Sequence, residues 1–191
     1  MNSAKFSYSH DSIYIWDRVV RLCHWGIVTA FTVNYFIAEP GRLVHEIMGY
    51  AAMGLLTLRI AWGIRRRNSK SENSDTDFHA SFSTISLSKH TFKTHISHLK
   101  RKQLPANHGH NPFGWLMFMV VIALLFGLGI TGFMMEEIDA LFGNSLLEWT
   151  HSIMADVLYG CVIVHIAAVF IVQYVGNIQL VRPMLTGWRK R

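Results

Sequence analysis

The sequence predicts an all-α integral membrane protein, a four-helix bundle with N- and C-termini on the cytoplasmic side. Three observations predict it. Charged residues are only 16% of the 191 positions while hydrophobic ones are 51%, a balance with far fewer charges than soluble chains carry. Four apolar runs approach or exceed the roughly 20 residues that a helix needs to cross a bilayer core. The charges between the runs gather in blocks instead of spreading over a surface.

Each element follows in order. The first apolar run starts only after Arg18 and Arg21, with no small-residue cleavage site behind it, so it is expected to remain as a helix and not to be removed as a signal peptide. Span one, residues 22–38, is the shortest and carries Asn34. Span two covers 44–64. The loop 65–111 begins polar and serine-rich; further on, Phe92, Ile96 and Leu99 fall at i, i+4 and i+7 among Lys89, Lys93, Lys100 and Arg101, the pattern of an amphipathic helix on a membrane surface. Asn111 and Pro112 suit the N-cap and first helical position of span three, 112–135, which holds no formal charge. Span four covers 149–174. The chain reads as one membrane domain, 1–191.

Sixteen of the eighteen Lys and Arg lie before span one, between spans two and three, or after span four. By the positive-inside rule those segments face the cytoplasm. The connection around 39–43 holds only Arg42, and the connection from span three to span four holds Glu136, Glu137, Asp139 and Glu148 with no basic residue, so both face outward. The net charge of +6 is then a matter of orientation in membrane lipids, and no nucleic acid is needed to explain it. Cys23 and Cys161 lie in or beside apolar helices, and no Cys-x-x-Cys-His motif for covalent haem exists; both read as small packing residues.

Ionisable side chains inside a membrane are costly and mark function by default. His151 and His165 sit fourteen residues apart in span four, and His24 and His45 open spans one and two. Orientation gives each a depth. Spans two and four both enter from outside, so His45 and His151 share the outer level. His165 is roughly 21 Å deeper and about 40° away in azimuth, on nearly the same helix face. Span one enters from inside, which makes His24 its partner, with a looser depth match that helix tilt or a projecting span four must absorb. Two such cross-helix pairs are candidates to bind two b-type haems in the bundle core, each iron saturated by two imidazoles and suited to carrying electrons. A helix–helix hydrogen bond is the competing reading for any single histidine.

Arg59, fourteen residues after His45, falls near the depth of His165 and needs an anion or carbonyl, such as a haem propionate or a quinone; snorkelling to the headgroups is the alternative. Gly127, Gly129 and Gly132 spell a Gly-x-Gly-x-x-Gly that cannot be a dinucleotide site inside an uncharged span; small residues there let helices or a porphyrin approach closely, as do Gly49, Gly54 and Gly160. Asp156 is a polar intrusion, open to structural hydrogen bonding or to a proton path. His90, His95, His98, His108 and His110 match no standard zinc spacing. His110 competes with His24 as the inner ligand.

These residues resemble the bacterial cytochrome b561 and nickel-hydrogenase b-type cytochrome family. The matching stretches are Ile15-Trp16-Asp17-Arg18 through Arg21-Leu22-Cys23-His24-Trp25, Val44-His45-Glu46-Ile47-Met48-Gly49-Tyr50, Leu58-Arg59-Ile60-Ala61-Trp62-Gly63, Gly109-His110-Asn111-Pro112-Phe113-Gly114, and the pair His151 and His165. The resemblance covers nearly the whole chain except the loop 68–107. The resemblance implies four transmembrane helices in a bacterial inner membrane and two non-covalent b haems. It also implies electron exchange between the quinone pool, ubiquinone or menaquinone, and a redox partner, and it supports the pairing of His24 with His165 and His45 with His151.

The expected function is therefore electron transfer by a diheme membrane subunit. The quinone would react beside the inner haem near Arg59, Trp25 and His110, and the outer haem would serve a periplasmic partner: a c-type cytochrome, a hydrogenase or a reductase. Glu39, Glu136, Glu137 and Asp139 favour a basic partner. A stand-alone superoxide:ubiquinone oxidoreductase ranks lower because its anionic substrate meets an acidic surface. A haem-free transporter ranks lower still, since no broken-helix repeats are present. A homo-oligomer is compatible with all three.

Overall fold

The computed structural model describes residues 12–68 and 112–190. In chain order the elements are β1 (Ser12–Tyr14), α1 (Arg18–Phe36), α2 (Leu43–Asn68), α3 (Pro112–Glu137), a 3-10 turn (Asp139–Leu141), α4 (Ser145–Gly176), α5 (Val181–Thr186) and β2 (Trp188–Lys190). The amphipathic stretch at 89–101, the loop histidines including His110, and Asn111 lie outside the described residues.

Two helix starts precede the apolar runs because a polar side chain caps them. Asp17 Oδ1 accepts the Val20 N–H at 3.0 Å and starts α1 at Arg18. Asn144 Oδ1 accepts from Leu146 and Leu147 N–H, both at 3.1 Å, and starts α4 at Ser145, four residues before the predicted span. Side-chain acceptors at the N-cap satisfy backbone donors that the helix leaves unpaired. At its other end α4 stops at Asn177, whose φ of 50° takes the left-handed conformation.

Among the described residues, three helices are long and apolar enough to cross a membrane: α2, α3 and α4. The 19-residue α1 is not one of them, since Arg18, Arg21, His24 and Asn34 dilute its hydropathy. Apolar side chains face outward on all sides, with Ile163, Val164, Phe170 and Ile171 exposed along α4, as lipid contact requires.

Two helical hairpins make up the body. α1 packs on α2, α3 packs on α4, and α2 joins the pairs by packing on α3. The shared core is Leu56, Leu125 and Leu158, one residue from each of α2, α3 and α4. The glycine triad of α3 brings both neighbours close: a Cβ on Gly129 would collide with the Met53 side chain of α2, and one on Gly127 would lie 2.8 Å from Met154 Sδ of α4. Gly54 and Gly160 behave otherwise, because nothing lies within 4 Å of where their Cβ would be. Each follows a histidine by nine residues, half a turn out of phase at 100° per residue, and so faces away from the helix contacts.

The two ends of the chain meet at one end of the bundle. β1 pairs antiparallel with β2, Ser12 opposite Lys190 and Tyr14 opposite Trp188, and the Tyr14 and Trp188 rings pack edge to face at 4.9 Å. Arg21 Nη1 donates to the Leu185 carbonyl at 2.6 Å, and Gln173 Oε1 accepts from Leu180 and Val181 N–H, so α5 and β2 are bound back onto α1 and α4. This clasp has no counterpart in the sequence reading.

Candidate functional site

The four span histidines come together in two pairs, both formed on α4. His45 of α2 faces His151 with ring centroids 6.2 Å apart and ring planes at 55°. His24 of α1 faces His165 at 6.5 Å and 58°. The looser depth match of the second pair is absorbed by the length of α4. With 32 residues it is about 48 Å long, against a bilayer core of about 30 Å. It therefore runs eleven residues past His165, whereas α1 begins six residues before His24.

The separations discriminate between two chemistries. A direct imidazole–imidazole hydrogen bond of about 2.9 Å would hold the centroids about 5 Å apart. One metal ion bound by both rings from opposite sides, in line, at about 2.0 Å per nitrogen would hold them about 6.2 Å apart. Both pairs match the second figure. Among the described residues no third His, Cys, Asp or Glu joins either pair, and two opposed imidazoles suit a metal that brings further ligands of its own, as a porphyrin iron does. The His45 Nδ1 is buried without a hydrogen-bond partner among the described residues, a state that costs about 1–3 kcal/mol. His165 is exposed, so its ring borders space that a broad flat group can enter. The residues fit haem at both positions.

The surroundings fix the rings. Asn34, the polar residue of span one, donates from Nδ2 to the His45 carbonyl at 3.1 Å and ties α1 to the start of α2. Thr131 Oγ1 lies 2.8 Å from His151 Nδ1. Gly132 lies beside the same ring, where a Cβ would make ordinary contact with His151 Cε1 at 3.6 Å.

At the clasped end, Trp25 packs edge to face against His24 at 5.4 Å, and its indole N–H donates to the Met184 carbonyl at 3.2 Å. Trp25 therefore offers a bound molecule its ring and not its N–H. Arg59 is half-buried, within electrostatic reach of Asp17 and Cys23, its guanidinium 6.0 Å from the Phe118 ring centroid. Asp17 Oδ2 accepts from the Trp62 indole at 2.7 Å. Asp156 is not isolated: the Tyr35 hydroxyl donates to it at 2.9 Å, and Tyr35 stacks on Tyr159 at 4.8 Å. Both cysteines are free.

Sequence reasoning missed Thr131, although its signal was present. Thr131 lies six residues before the end of α3 at Glu137, and His151 six residues after the start of α4 at Ser145. The depth arithmetic that pairs the histidines selects it too.

A family model described as prokaryotic cytochrome b561 matches residues 15–187. No curated protein and no solved structure matches the chain.

Proposed function

The chain belongs to the prokaryotic cytochrome b561 family, whose members are membrane b-type cytochromes of electron transfer, and on that premise we propose that it carries electrons across the bacterial inner membrane through two b haems. The observation that supports this reading best is the pair of histidine–histidine separations, 6.2 and 6.5 Å, repeated along one helix. In this reading α1 is the fourth span. Its 19 residues are about 28 Å long, close to the bilayer core, and it lies against α2 along that length. The clasped end is cytoplasmic.

His45 and His151 hold the outer haem, and His24 and His165 the inner one. Haem held there by two imidazoles would supply one-electron chemistry. The protein's part is placement: α4 presents both ligand rings from one side, and α1 and α2 supply the opposing ring at each level. Arg59 is placed to balance a propionate or to bind a quinone carbonyl, and Trp25 adds its ring to a contact region for ubiquinone or menaquinone at the inner haem; the expected contact His110 lies outside the described residues.

At the outer end Glu136, Glu137, Asp139 and Glu148 are exposed, while Arg42 is already paired with Glu39 at 3.0 Å. That surface favours a periplasmic partner with a basic docking face, such as a c-type cytochrome. It disfavours an anionic substrate.

The test is spectroscopic. Protein purified after haem-replete expression should show a b-type band and two haems per chain, falling to one in His151→Ala and to one in His165→Ala. A wild-type protein without that band would overturn the reading.

A further inference from the structure

The hydroxyl of Thr131 lies 2.8 Å from Gly127 O and 3.2 Å from Leu128 O in its own helix, and 2.8 Å from His151 Nδ1. Carbonyl oxygens only accept, and a hydroxyl has a single proton. A threonine inside a helix commonly spends that proton on the carbonyl four residues back. The lone pairs of Oγ1 then face His151, whose Nδ1 must carry a proton to make the bond. Thr131 is only 8% exposed, so water has little access to its hydroxyl.

We propose that Thr131 is a positioning residue: it accepts the Nδ1–H of His151, fixes that tautomer and the ring's rotation, and leaves Nε2 as the nitrogen presented to iron. The inference rests on the proposed haem reading of His151. His45, across the pair, lacks such a partner for its Nδ1 among the described residues, so the two ligands of one iron are held unequally and His151 is the fixed member. A hydrogen bond from the second ring nitrogen also makes a ligating imidazole a stronger donor, which favours the oxidised iron and lowers its potential. Had the hydroxyl proton pointed at His151 instead, Nε2 would hold the hydrogen and could not ligate.

The test compares wild type, Thr131→Val and Thr131→Ser as full-length haem-loaded proteins in detergent, by haem content and by redox titration followed optically and by electron paramagnetic resonance. Valine keeps the shape and removes the acceptor. It should weaken haem retention at the outer site by about 10- to 100-fold and raise the midpoint of that haem alone. The inner haem serves as the internal control of folding, and serine should restore both readouts. Thr131→Ala is read in the same way if the valine variant fails to accumulate. A valine variant with wild-type retention and both potentials unchanged, or with both haems shifted alike, overturns the role of Thr131. That failure is distinct from a failure of the haem reading, which would appear as a wild type without haem or as a His151→Ala variant that keeps both.

Discussion

At the start of α1 one carboxylate satisfies two donors, since Asp17 caps the helix through Oδ1 and accepts the Trp62 indole through Oδ2. Asp17→Ala removes the cap and leaves the indole N–H without its acceptor. It should cost about 1–3 kcal/mol, read as a lower unfolding temperature in detergent, while Asp17→Asn, whose one amide oxygen can still accept one of the two donors, should cost less. The histidine pairs were legible at this scale because charge blocks set the orientation and orientation turned residue number into depth. Thr131 was not singled out, because a lone threonine in an apolar helix ordinarily does no more than bond its own turn. Asp156 was legible as an anomaly only, since its partner Tyr35 is far away in sequence and nothing local announces the pairing.

The elements divide by how local their signals are. Hydropathy over 20 residues placed α2, α3 and α4 to within about a turn, and the Asn144 cap accounts for the four-residue difference at the start of α4. The strands β1 and β2 are three residues each and exist by pairing across nearly the whole chain, which no local pattern encodes. Glycines show the same limit: the triad in α3 and the residues Gly54 and Gly160 look alike in sequence, yet only the former meet a neighbour. Substitution separates them. Gly129→Val, which drives branched carbons into Met53, should destabilise the protein by about 1–3 kcal/mol through overpacking. Gly54→Ala, with open space around it, should leave stability unchanged or raise it by up to about 1 kcal/mol through helix propensity. Thermal denaturation of the two variants side by side measures the contrast.

Over the whole molecule, charge is polarised along the bundle axis, with exposed carboxylates at the end opposite the clasp. Electron exchange with a basic partner at that end should slow as salt rises from about 0.01 to 0.15 M, as the Debye length shrinks from about 30 to 8 Å; stopped-flow kinetics against ionic strength would show it, and a flat profile would exclude electrostatic docking there. The antiparallel clasp carries a different consequence. Residues 12–68 contribute β1, α1 and α2, and residues 112–190 contribute the rest. β1–β2 and α2–α3 join the halves directly, and each proposed iron takes one histidine from each half. The chain is thus a ring of two hairpins, closed once by peptide and again by the strands, with the cofactors as rivets between them. A version severed between residues 68 and 112 and co-expressed as two polypeptides should still assemble, and because a ligand bound only by the assembled form stabilises it, the halves should co-purify in proportion to haem supplied.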